Sequence, residues 1–214
     1  MLTIKQFTFG PFQENTFVLH DATGECVIVD PGCYSRQEQQ ALETYIQEKK
    51  LKPVHLLNTH CHVDHVSGNA FVYATYKLKP LIHKDDLPVL EGQERACAMY
   101  GLDCDLSPLP EKFIEEGDVI RFGKSQLKVL FTPGHAPGHV VFYNEENKFV
   151  INGDVLFNGS IGRTDLAYGD YATLERSIKT KMYTLPDDTV VHCGHGPATT
   201  IGHEKHSNPF VNLN

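Results

Sequence analysis

The chain has 214 residues, 41% hydrophobic and 21% charged, a balance that excludes general disorder. Twenty-seven acidic residues against nineteen Lys plus Arg leave a formal charge of -8, the wrong sign for a nucleic-acid backbone or an anionic membrane surface. No apolar run approaches the ~18 residues of a spanning helix, and the length suits one domain over residues 1–214.

The chain begins with strands. Leu2 to Phe9 and Asn15 to His20 are β-rich runs separated by Gly10-Pro11, and Cys26 to Asp30 is a buried-strand run stopped by Pro31-Gly32. Ser35 is placed to cap a helix through Lys50, with Ala41, Leu42, Tyr45 and Ile46 on one face. Val54 to Asn58 reads as an apolar strand and Gly68 to Tyr76 as a short helix. Residues 84 to 112 are less regular and are expected to form a helical insertion over a sheet edge. Strands resume at Val119–Phe122, Gln126–Thr132, Val140–Tyr143 and Phe149–Asn152. Asp170 caps a predicted helix through Met182, and Thr189 to His192 is a last short strand. The alternation indicates a mixed α/β domain.

Six cysteines contain no C-x-x-C pair, so zinc-finger and thioredoxin readings fail. Met1-Leu2-Thr3-Ile4-Lys5-Gln6 lacks the apolar core of a signal peptide, and a cytoplasmic protein with free thiols is expected.

Twelve histidines are out of proportion to nineteen Lys plus Arg, and their placement is informative. Thr59-His60-Cys61-His62-Val63-Asp64-His65 puts three imidazoles and a carboxylate directly after an apolar strand. In extended chain, His60 and His62 point the same way, while Asp64 and His65 fall on the following turn. These are nitrogen and carboxylate donors of the kind zinc prefers. Gly134-His135, Gly153-Asp154 and Gly194-His195-Gly196 repeat one placement, each just past the C-terminal end of a predicted strand. The set His60, His62, Asp64, His65, His135, Asp154 and His195 exceeds one tetrahedral zinc. Two divalent metals sharing a carboxylate fit the count and lower the pKa of a bridging water.

These motifs, with Gly10-Pro11-Phe12-Gln13-Glu14-Asn15 and Asp30-Pro31-Gly32, resemble the metallo-β-lactamase fold superfamily over nearly the whole chain. Within it, Gly159 to Asp165 and Asn208-Pro209-Phe210 are similar to the glyoxalase II (hydroxyacylglutathione hydrolase) branch. The resemblance implies an αβ/βα sandwich, four layers with the metals at one sheet edge. It implies a first metal on His60, His62 and His135, a second on Asp64, His65 and His195, and Asp154 between them. Zinc is expected, and iron or manganese suits the same donors. The implied reaction is attack of a metal-bridging hydroxide on a small-molecule thioester such as S-lactoylglutathione, with Asp64 as a catalytic group orienting the hydroxide. Arg163 is the implied substrate-binding residue, against the plainer reading of a surface arginine paired with Asp165.

Four departures from that branch stand out. Cys61, Ala136 and Cys193 occupy positions where the family varies or prefers other residues, and they leave the ligand set intact. The chain stops at Asn214, without the C-terminal helical domain that helps such enzymes bind glutathione, so weak glutathione recognition is expected. A mononuclear iron persulfide dioxygenase is the alternative enzyme, resembling Thr59-His60-Cys61-His62 and Gly162-Arg163-Thr164-Asp165. The intact Gly194-His195-Gly196 weighs against it. Lactonase, β-lactamase and nuclease activities share the fold, the last disfavoured by charge. A regulatory metal-binding protein without turnover is disfavoured by the complete ligand set. His139 is expected as a supporting donor, while His192, Tyr168, Tyr171 and the thiols of Cys61 and Cys193 are read as packing residues.

Overall fold

Two strands open the chain in the computed structural model, which describes residues 2–213. Strand β1 (Thr3–Phe9) pairs antiparallel with β2 (Glu14–His20), and β3 (Glu25–Val29) adds antiparallel to β2. Helix α1 (Arg36–Glu48) crosses over, so that β4 (Lys52–Leu57) lies parallel to β3. The expected Ser35 cap is a full capping box: Glu38 N–H donates to Ser35 Oγ, and Ser35 N–H donates to the Glu38 carboxylate. Short helices α2 (Val63–Val66) and α3 (Asn69–Tyr76) precede β5 (Pro80–Leu81). This strand completes a five-stranded sheet in the order β1-β2-β3-β4-β5.

The segment after edge strand β5 is helical only in its first part. It contains α4 (Leu87–Glu91) and α5 (Gln93–Tyr100), then runs irregularly past Pro108 and Pro110. The expectation of free thiols fails here, because Cys97 and Cys104 form a disulfide. Their spacing matches no motif. The chain reverses after α5, with Gly101 in the left-handed region at φ 67°, and this brings the two Cα atoms to 6.2 Å. Cys26, Cys33, Cys61 and Cys193 are free and buried.

The second sheet begins as a meander of β6 (Val119–Phe122), β7 (Ser125–Phe131), β8 (Val140–Asn144) and β9 (Phe149–Gly153). A small hairpin, β10 (Leu156–Phe157) and β11 (Ser160–Ile161), follows. Helix α6 (Tyr171–Thr180) carries the Asp170 cap expected of it and returns the chain to β12 (Val190–Cys193), parallel to β9. Strand β13 (Thr199–Thr200) and helix α7 (Ile201–Ser207) finish the sheet, ordered β13-β12-β9-β8-β7-β6.

Period-two alternation sorts side chains into layers. Val27 and Val29 of β3 join Phe17, Leu19 and Leu57 against Val129, Phe142 and Ile151 of the second sheet. Cys26 and Ile28 face the other way, onto Leu42, Ile46 and Val72 of α1 and α3. Val141 and Tyr143 meet Leu174 and Ile178 of α6. The result is the expected four-layer αβ/βα sandwich. Parallel pairing of β3 with β4 and of β9 with β12 brings four strand C-termini to one edge. No helix among the described residues is long and apolar enough to cross a membrane.

Candidate metal centre

All seven expected ligands converge on that edge. His60, His62, Asp64 and His65 follow β4, with His65 on α2. His135 follows β7, Asp154 follows β9 and His195 follows β12. They form three overlapping groups, His60–His62–His135, His60–His65–Asp154 and Asp64–His65–His195, with ligand atoms within 4.8 Å of one another in each. Asp154 lies between them: Oδ1 is 3.5 Å from His65 Nε2, and Oδ2 is 3.5 Å from both His135 Nε2 and His195 Nε2. His195 Nε2 is also 3.1 Å from Asp64 Oδ2. Gly194 lets these groups meet, since a Cβ there would collide with Asp154 Oδ1 and His65 Cε1.

Four of the five imidazoles have one ring nitrogen at an oxygen acceptor outside the cluster. His60 Nδ1 is 3.1 Å from Thr59 Oγ1, and His65 Nδ1 is 3.0 Å from Asp30 Oδ2. His135 Nδ1 donates to Arg163 O at 2.7 Å, and His195 Nδ1 donates to Phe12 O at 3.1 Å. The opposite nitrogen of each ring is left for the centre. His60 Nε2, His65 Nε2 and Asp154 Oδ1 are buried without any hydrogen-bond partner. Orphaned buried donors and acceptors are costly, and a cation shared among them removes the cost. The residues therefore fit divalent metals.

Electrostatics divide the cluster. Burial, then the neighbouring imidazoles, holds His60 well below the ordinary histidine range and His62 at about 3. Burial also lowers His135, against the pull of Asp154. His65 is pushed well up: burial opposes its charge, but Asp154, Asp64 and Asp30 outweigh it. His195 rises similarly, through Asp64 and Asp154 against burial. Burial thus disfavours charge on the first trio, while the carboxylates of the second cluster favour charge on its imidazoles.

Several residues support the cluster; Glu14, Asn15 and Asp30 stand in motifs that carry the resemblance without a role read for them, and Asp86 carried no signal. Asp30, at φ 48°, accepts from Thr59 N–H and Thr59 Oγ1–H as well as facing His65. Glu14 is wholly buried beside it, and burial pushes its carboxyl well above the usual range. Asn15 Nδ2 donates to Cys193 O and Gly196 O, holding the His195 loop from both sides. Asp86 accepts from Cys61 N–H and Gly138 N–H. His139, expected as a supporting donor, accepts Asp154 N–H at its Nε2 at 3.1 Å, which leaves Nδ1 to donate to Thr132 Oγ1 at 3.3 Å, and its ring stacks on His60. His192 packs edge-on to Phe17 and Phe149, as a core residue does. Arg163 makes the plainer contact considered for it, a two-point grip on exposed Asp165 at 2.7 and 2.8 Å. Phe12 and Tyr100 form an aromatic edge-to-face pair at 5.1 Å beside His195.

Comparison with known proteins agrees with this geometry. The family model of the metallo-beta-lactamase superfamily matches residues 9–195. A protein named probable metallo-hydrolase YqgX, from Bacillus subtilis, is 37% identical over 97% of each chain. Hydroxyacylglutathione hydrolase GloC of Haemophilus influenzae is 38% identical over 94% of each. A crystal structure of TTHA1623 in a di-iron-bound form superposes with a TM-score of 0.87 at 41% identity, covering 97% of this chain and 100% of that one. The chain belongs to the metallo-beta-lactamase superfamily.

Proposed function

We propose that this metallo-hydrolase of the superfamily cleaves small thioesters of the S-lactoylglutathione kind. In this reading His60, His62 and His135 hold one divalent metal, Asp64, His65 and His195 hold a second, and Asp154 is shared. The observation that carries it is the set of ring nitrogens turned inward while their partners are tied to Thr59, Asp30, Arg163 and Phe12. When bound, the metals activate water near neutral pH and polarise a carbonyl oxygen.

The chain's own groups do the rest. Asp64 Oδ2 lies 3.1 Å from His195 Nε2, and in this reading it orients the attacking hydroxide. Asp30 and the main-chain carbonyls fix ring orientation, so the donors do not reorganise during turnover. The thioester class is supported by the name of the Haemophilus relative. Zinc suits these donors, and iron is the metal of the TTHA1623 structure. The partner is a small molecule in the cytoplasm, neither nucleic acid nor membrane, consistent with the charge of -8. The test is metal analysis together with a panel of S-lactoylglutathione, a simple thioester, a lactone, a β-lactam and a glutathione persulfide. Preferred thioester cleavage with two metals is expected. Oxygen consumption with the persulfide by a one-iron form would overturn the reading.

A further inference from the structure

Asp86 lies outside the ligand set, and the proposed reaction does not use it. Its position, just before α4, suggests an ordinary helix cap, but its side chain makes no cap hydrogen bond. The carboxylate turns away from its own helix and is fully buried. Oδ2 accepts the Cys61 N–H at 2.5 Å and Oδ1 accepts the Gly138 N–H at 2.9 Å.

These partners are not scattered. Cys61 sits between His60 and His62, and Gly138 follows His135 by three residues in the loop that returns to His139. One carboxylate thereby joins the two loops that supply the His60–His62–His135 trio. None of its hydrogen bonds reaches the segments carrying Asp154 or His195, while Asp64 and His65 lie three and four residues beyond Cys61 and begin the turn into α2. The approach is close enough to need glycine, since a Cβ on Gly138 would collide with Asp86 N and Asp86 Cβ. Charge-assisted bonds from buried amides are among the strongest available, and ligating rings need placement to within about 0.5 Å.

We propose that Asp86 is a positioning residue for the first metal trio, holding the His60–His62 loop against the His135 loop. This rests on the trio being a metal site and is independent of the thioester assignment.

The trio is isolated in a His195→Ala background and the second cluster in a His62→Ala background. Each is titrated with zinc against a chromophoric chelator, with and without Asp86→Asn. The trio's affinity should fall about tenfold to a hundredfold, the usual effect of removing a ligand's support. The second cluster should change clearly less than the trio, because His195 has no tie to Asp86 and His65 is held separately by Asp30. Equal losses at both clusters, in step with a lowered melting temperature of the metal-free chain, would make Asp86 a general support of the fold and overturn the proposal. No loss at the trio would also overturn it. Should Asp86→Asn fail to fold, amide hydrogen exchange on the wild-type metal-free chain decides. Protected Cys61 and Gly138 amides are expected, and free exchange at both would end the proposal. Absence of thioester cleavage would sink the substrate assignment and leave the zinc comparison standing. Absence of any zinc binding by the wild-type chain would overturn both.

Discussion

His135 donates its Nδ1–H to the main-chain carbonyl of Arg163 at 2.7 Å, so Arg163 supports the candidate metal centre through its backbone and not its charge. Its guanidinium instead grips Asp165 on the surface. Exposed pairs of this kind are weak in water, so an anionic substrate competes for the arginine at small cost.

Arg163→Ala should therefore leave metal content unchanged while KM for an anionic thioester rises by about three- to tenfold, with kcat nearly constant. Asp165→Ala should lower KM, because it frees the guanidinium. Steady-state kinetics with metal analysis on both variants check this. An unaltered KM in Arg163→Ala would leave Arg163 as an ordinary surface residue.

Asp154 touches both halves of the centre, lying 3.5 Å from His135, His65 and His195. Asp154→Ala should then lose both metals, whereas His195→Ala should retain the first. Metal-to-protein ratios after dialysis against a weak chelator measure this. Retention of one tightly held metal by Asp154→Ala would show that the carboxylate is not shared.

The convergence of the seven candidate ligands was legible in the sequence because each member sits beside glycine or within one dense cluster after a strand. A parallel sheet gathers strand C-termini, so local placement already implies convergence. The helix caps at Ser35 and Asp170 were legible for the same reason, since their chemistry is local. The contacts of the supports were not, even though Asn15 stands in a motif that carries the family resemblance. Asn15 meets Gly196 across 181 positions, and Asp86 meets Gly138 across 52. Nothing in the neighbourhood of either residue encodes a partner so distant. The Cys97–Cys104 bridge was misread because the turn that closes it, after α5, follows no periodic pattern.

Asn15 shows how much such a residue carries. Nδ2 donates to Cys193 O at 3.0 Å and Gly196 O at 2.9 Å, while Oδ1 accepts from Gln6 Nε2 and Thr8 Oγ1. Asn15→Ala strands the buried Cys193 carbonyl and removes a second bond to the exposed Gly196, and should cost about 1–3 kcal/mol. Asn15→Asp should cost more, because a carboxylate would face the same two carbonyl oxygens. Urea denaturation of the metal-free variants gives the stability. Metal retention should show the second site weakened, since both carbonyls flank His195. Full retention of the second metal would confine Asn15 to the fold.

At the opposite end of the first sheet, Asp21 binds the turn after β2 to the turn between β6 and β7. It accepts from Thr23 N–H at 2.9 Å, Lys124 N–H at 2.6 Å and Ser125 Oγ–H at 3.0 Å, and from the Thr23 hydroxyl at 2.5 Å. Burial raises its pKa, but these hydrogen bonds outweigh burial and hold the carboxyl well below the usual range. A carboxylate with a depressed folded-state pKa stabilises the fold above its unfolded-state value of about 3.9, and that stability is lost as pH falls further. Asp21→Ala should therefore cost about 1.5–3 kcal/mol at pH 7. The difference from wild type should shrink as pH drops below about 4, where the unfolded chain takes up the proton first. The site is remote from the metals, so the metal-free protein reports it without interference. Urea denaturation of wild type and Asp21→Ala at pH 7 and at about pH 3 makes the comparison. An equal difference at both values would mean that the turn is held by packing, and not by the charged acceptor between the two sheets.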